Sequence, residues 1–168
     1  FNLKIRQRRV MISKDDFKIL FKTWQWIMEV QTEGLSQGDL LIQPRPGGNS
    51  MHWVLGHMIE SMKNLVLAFG GPKPEEFEKY NRFARFSEPI LGEEPDLPNL
   101  PTIRSDFATL SDLAVQALEG QDDAYFSEPG SSGTKGETVL FLAFHMSYHA
   151  GQLEYLRNLA GRTEKVID

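Results

Sequence analysis

Thr138-Val139-Leu140-Phe141-Leu142-Ala143-Phe144-His145-Met146-Ser147-Tyr148-His149 is the most apolar stretch of the chain, and it closes on two histidines four residues apart. Residues at that spacing project from the same face of an α-helix, so both imidazoles point one way. If Leu142, Leu156 and Ala160 mark the buried stripe, His145 and His149 fall inside it, with Gln152 beside them. Polar rings in a core stripe need partners, because an unpaired buried polar group costs roughly 1–3 kcal/mol. A shared metal ion would satisfy both at once.

Three further segments carry the same 3.6-residue periodicity. The first runs from about Lys14 to Glu33, with Phe17, Leu20, Phe21, Trp24, Ile27 and Met28 on one side, Ser13 and Asp16 as a capping box and Gly34 as its stop. A turn-rich link through Pro44-Arg45-Pro46-Gly47-Gly48 leads to a second helix that begins at Asn49 or Ser50 and ends at Phe69. Its apolar stripe is Leu55, Met58, Ile59, Met62, Leu65, Val66 and Phe69. The stretch from Pro72 to Pro101, rich in Pro, Glu and aromatics, reads as ordered loop with a short helix at Glu75 to Phe83. The third helix starts near Pro101-Thr102, shows Ile103, Phe107, Leu110, Leu113 or Ala114, and Ala117 on one face, and stops at Gly120. The fourth opens on the capping box Thr134-Lys135-Gly136-Glu137 and runs to Ala160, where Gly161 ends it. No alternating β pattern, repeat or sustained heptad is present. The expected fold is all-α: an antiparallel four-helix bundle with a long loop or short helix between helices 2 and 3.

With 168 residues the chain fits one domain that can bury a core without disulfides. Residues 1–12 read as an N-terminal extension and 13–168 as the bundle domain. The chain begins without Met, which suggests a truncated, processed or expression-derived start, and Met11 would be a natural beginning. The absence of cysteine fits a reducing compartment, and excludes disulfide staples, iron–sulfur clusters, thiolate zinc sites and a cysteine nucleophile. A net charge of −5 gives no support to nucleic-acid binding. The basic run Lys4-Ile5-Arg6-Gln7-Arg8-Arg9 is not followed by the apolar stretch of a signal peptide, and nothing approaches the ~18 apolar residues of a membrane span. A cytoplasmic protein is expected.

Only four histidines exist, His52, His57, His145 and His149, all on the second and fourth helices. One from the second helix joining the pair on the fourth makes three neutral imidazoles, a donor set that leaves a coordination position open, as catalytic sites do. The spacing of His145 and His149 is also that of the zincin helix, but Met146 stands where a metalloprotease places its general-base Glu. Peptidase activity is not expected. Periodicity does not choose the third histidine. His57 falls away from the centre of the apolar stripe with Trp53, Glu60 and Asn64, while His52 lies nearer its edge. Either the second helix buries two faces, one in the core and one at a groove or subunit interface, or His57 is a solvated residue. A plain bundle whose histidines are satisfied by hydrogen bonds competes with the metal reading throughout. Trp24, Trp26 and Trp53 read as core or interface, and Gly47-Gly48 and Gly70-Gly71 as turns.

The pattern Trp53-x-x-x-His57-Met58-Ile59-Glu60-Ser61-x-x-Asn64, followed by His145-x-x-x-His149-x-Gly151-Gln152-Leu153 and then Leu156-Arg157, resembles the DinB/YfiT-like superfamily over roughly Lys14 to Gly161. The resemblance implies a four-helix bundle holding a divalent metal, Zn or Ni, through His57, His145 and His149. It also implies a choice of chemistries: metal-dependent hydrolysis, transfer involving low-molecular-weight thiols such as bacillithiol or mycothiol, or thiol-dependent isomerisation of maleylpyruvate. Homodimers are common in that family. The expected protein is therefore a divalent-metal-binding enzyme that activates a small thiol or water for transfer to, or hydrolysis of, a small electrophile. The alternative is a non-catalytic metal-binding bundle in stress response or protein interaction. Glu60, Asn64, Tyr148 and Gln152 are the neighbours by helical spacing that could move a proton at the site. Nothing in Pro72 to Pro101 matches a family motif, so the substrate stays open.

Overall fold

A computed structural model describes residues 13–130, 133–165 and 167; the expected extension at 1–12 lies outside them. Four long helices dominate: α1 (Lys14–Thr32), α2 (Met51–Ala68), α3 (Leu100–Glu119) and α4 (Lys135–Leu159). Short 3₁₀ turns at Asp39–Leu41, Glu75–Phe83 and Tyr125–Ser127 lie between them. Among the described residues the only β pairing is an isolated bridge between Pro129 and Thr134, so the fold is all-α. No described helix is long and apolar enough to cross a membrane.

The helix starts follow from local chemistry. The side chains of Ser13, Ser50, Asn99 and Thr134 each accept a hydrogen bond from a first-turn backbone N–H, and Asp16 and Glu137 close reciprocal capping boxes at α1 and α4. These caps satisfy donors that a helix cannot pair internally. α3 starts slightly earlier than expected, at Leu100, because Asn99 is the cap and Pro101 sits in the first turn where its missing N–H costs nothing. After α4, Gly161 takes the left-handed conformation, φ 79°, that terminates helices.

Helices α1 and α2 each pack against both α3 and α4. Phe17, Phe21, Trp24 and Met28 of α1 meet Ile103, Phe107, Leu110, Ala114 and Leu118 of α3 in one core, with Val139, Ala143, Met146, Ala150 and Leu153 of α4. Ala114, not Leu113, takes the buried position on α3. On α4 the stripe differs from expectation. Leu142 and Ala160 are only half-buried, while Phe141, Phe144 and Tyr148 face outward, so the most apolar segment of the chain is not enclosed. His145 and His149 consequently lie on the flank between the core stripe and an exposed aromatic stripe, not at the core's centre. Of the three tryptophans, Trp26 is exposed and Trp24 and Trp53 are buried.

Helix α2 is buried on nearly every side, including His52, Trp53 and His57. The cover over its second face comes from the chain itself, from the segment between α2 and α3. Phe83 is fully buried against Gly56, where an added Cβ would lie 2.4 Å from the ring. The segment is stapled down at several points: Tyr80 donates to Asp106 of α3 (2.8 Å), Lys63 of α2 to Asn81 (2.6 Å), and the Trp53 indole to Ser87 (3.0 Å). Within it, Arg82 makes a two-pronged pair with Glu94. Gly56→Ala is accordingly expected to cost about 1–3 kcal/mol by overpacking, read as a lower urea midpoint. An unchanged midpoint would mean that Phe83 has room to move aside.

Candidate metal centre

His57 of α2 and His145 and His149 of α4 present ring nitrogens that all lie within 4.8 Å of one another. The Nε2 atoms of His57 and His145 are 2.9 Å apart. A tetrahedral zinc with Zn–N bonds of 2.0–2.1 Å needs its nitrogens roughly 3.3 Å apart, so a small opening of the pair admits an ion. The rings stand edge to face, with centroids 5.1, 4.8 and 4.4 Å apart for the pairs 57–145, 57–149 and 145–149.

Two of the three rings are oriented from outside. His57 Nδ1 is 2.7 Å from the Phe83 carbonyl, which can only accept, so the proton resides on Nδ1 and Nε2 keeps its lone pair. His149 Nδ1 likewise donates to Gln152 Oε1 at 2.7 Å, leaving Nε2 as its free nitrogen. Partners of this kind fix the tautomer and direction of metal-binding histidines. Trp53 stacks on His57 at 4.7 Å and restrains its remaining freedom.

The rings are also held neutral. Burial lowers all three pKa values, and the Phe83 and Gln152 hydrogen bonds only partly oppose it for His57 and His149. For His145, burial is joined by the cost of holding a second proton beside His57 and by the positive charge of Arg85. His149 is pushed down to about 4. A cation and a proton compete for the same lone pair, so rings that stay unprotonated near neutral pH suit a divalent ion. Imidazole donors match Zn, Ni, Cu or Fe in preference to Mg or Ca. These residues fit a three-histidine metal site.

The cluster opens into a pocket of about 570 Å³, within the size range of small-molecule sites. Its walls come from the turn before α2 (Arg45, Gly47, Gly48, Asn49), from the stretch after Phe83 (Arg85, Phe86, Ser87) and from α4 (Tyr148, Gln152, Tyr155). Phe86 has the one positive φ among the described non-glycine residues, 67°, and this pocket-lining residue is 86% exposed. A left-handed backbone costs a bulky residue about 1–2 kcal/mol, and such strain gathers at functional sites.

The sequence-level candidates divide. Tyr148 and Gln152 line the pocket, with the Gln152 amide 3.4 Å from the Tyr148 hydroxyl. Glu60 does not line it: its carboxylate pairs with Lys63 at 2.5 Å. Asn64 turns back to donate to the carbonyl of Glu60 and is exposed. His52 is buried apart from the cluster, bonded to Gln37 and stacked on Phe83, which resolves the choice that periodicity left open. Sequence reasoning passed over Phe83, Arg45, Arg85, Phe86 and Ser87. The Pro72 to Pro101 segment offered one signal, since a long linker of aromatics and arginine in a compact domain is itself a mark of a functional loop.

A family model described as the DinB superfamily matches residues 22–153, more than half of the chain. No curated protein matches it.

Two outcomes are expected of the centre. Gln152→Leu removes the partner that directs His149 and should weaken zinc affinity 10–100-fold, measured by chelator competition; unaltered affinity would assign Gln152 no orienting role. Because the folded pKa of His149 lies below its ordinary 6.5, the unfolded chain binds more protons between those values. The stabilisation from keeping this ring neutral is therefore complete above pH 6.5 and lost as pH falls through about 4. Denaturant midpoints of metal-free protein should drop across that window, and less steeply for His149→Gln.

Proposed function

The chain belongs to the DinB superfamily, and from that premise we propose that it is a metal-dependent four-helix-bundle enzyme holding Zn or Ni through His57, His145 and His149. Its reaction is the activation of a small thiol or water for transfer to, or hydrolysis of, a small electrophilic substrate. A divalent ion bound there supplies Lewis acidity and draws the pKa of a coordinated thiol or water toward neutrality. That suits a chain with no cysteine and with no carboxylate among the residues lining the pocket.

The observation that carries the reading is the convergence of three neutral imidazoles, two of them locked by outside acceptors, at the floor of an open pocket. A histidine cluster serving only as packing has no need of such access. The protein's own contribution is positional. The Phe83 carbonyl and Gln152 hold two lone pairs inward, Trp53 buttresses His57, and the walls leave one side open for a substrate. In this reading Tyr148 exchanges a proton with that substrate, supported by its ring 5.2 Å from that of His149 and by its exposure, 56%, among the residues lining the pocket. Gln152 acts through His149 and is a positioning residue.

Elemental analysis of protein purified without a polyhistidine tag tests the first half of the proposal. About one metal per chain is expected, lost in His145→Ala. Conjugation of several cellular thiols to a generic electrophile, together with esterase and amidase assays, tests the second half. At least one activity should appear and fall about a hundredfold or more in His57→Ala and His149→Ala. A stoichiometric metal with no turnover in any assay would make the protein a binder and not an enzyme.

A further inference from the structure

Six arginines lie among the described residues, and four of them are engaged by the protein. Arg82 pairs with Glu94, Arg104 donates to Thr32, Arg157 to the carbonyls of Gln31 and Glu33, and Arg162 to the carbonyl of Gly34. Arg45 and Arg85 make no hydrogen bond or ion pair among the described residues, and both line the pocket above the histidines. They arrive from different parts of the chain, one from the turn preceding α2 and one from the stretch following Phe83. No aspartate or glutamate among the described residues lines that pocket, although the whole chain carries a formal charge of −5. Within the described residues of a chain with excess acid, this cavity is lined by no carboxylate and by the two guanidinium groups that have no hydrogen-bonding or ionic partner.

Charge balance sharpens the point. Three neutral imidazoles add no negative charge, so a divalent ion in a pocket that two guanidinium groups also line would leave it strongly positive. Like charges at close range repel most where solvent is partly excluded, and an incoming anion removes that penalty. Guanidinium is always charged, carries five donors and no acceptor, and matches a carboxylate or phosphate with paired hydrogen bonds. Arg85 is already directed: its guanidinium lies 4.4 Å over the ring of Phe86, which lines the same pocket. Trp53, Phe86 and Tyr155 add ring surface for an organic body between the charged ends.

We infer that the pocket takes a small organic anion, whose carboxylate or phosphate is held by Arg45 and Arg85 while its other end faces His57, His145 and His149. This rests on the metal reading only for the direction in which the molecule lies, because the guanidinium groups attract an anion whether or not a cation is present.

Calorimetric titration of zinc-loaded and metal-free protein with succinate, with its neutral analogue succinamide, and with inorganic phosphate tests the inference. At least one anion should bind tenfold or more tightly than succinamide in both forms of the protein, and the tighter of the two names the group. Arg45→Gln and Arg85→Gln should each weaken that anion about tenfold, and the double variant should erase the preference with zinc stoichiometry unchanged. Equal binding of succinate and succinamide together with no phosphate binding, or a preference that survives in the double variant, would overturn it. Preference without zinc binding would leave this inference standing and remove the metal reading; zinc binding without preference would do the reverse.

Discussion

The contact between Phe83 and the middle of α2 is the joint on which the site depends. Gly56 leaves a notch that the Phe83 ring fills, and one residue along the helix His57 donates to the Phe83 carbonyl at 2.7 Å. Packing and polarity are served by the same residue. The ring closes the second face of α2 against water, which makes His57 a buried group in need of a partner. The carbonyl provides the partner and dictates which nitrogen remains free. Without this cover, His57 would be a surface histidine on a helix with one apolar side.

That arrangement also decides the electrostatics. Removing the three rings from water keeps them neutral, because a buried imidazolium has too little solvation to persist. The positive charges of the pocket reside instead on guanidinium groups at its mouth, where water still supports them. Neutral donors stand at the floor and permanent cations at the rim. The site separates the group that would hold a metal from the groups that would hold an anion, and each is kept in the dielectric that suits it.

The rotation of helix α4 sets where its two histidines lie. Val139, Ala143, Met146, Ala150 and Leu153 face the core, and Phe141, Phe144 and Tyr148 face outward. His145 and His149 lie along the seam between the two. At the centre of the stripe they would be sealed among side chains of α1 and α2. On the outer side they would be solvated and ready to protonate. The seam is where a ring can be neutral and still reach a ligand.

The sequence by itself determined the helices, because caps, periodicity and stop signals act over a few residues. Ser13 with Asp16, Thr134 with Glu137, Gly120 and Gly161 mark boundaries close to those observed. It also singled out the histidine pair on α4, since a four-residue spacing fixes a shared face whatever surrounds it. Periodicity could not choose between His52 and His57, and it placed Glu60 and Asn64 near a site that they do not line, because spacing along one helix says nothing of its rotation toward its neighbours. Only the tertiary structure decided those points. It did so through a segment of little regular pattern, Pro72 to Pro101, whose position is set by Phe83 in the Gly56 notch and by bonds to Asp106, Lys63 and Trp53 far away in sequence. The orienting carbonyl and the pocket's Arg85 came with that segment, and no local rule could have announced them.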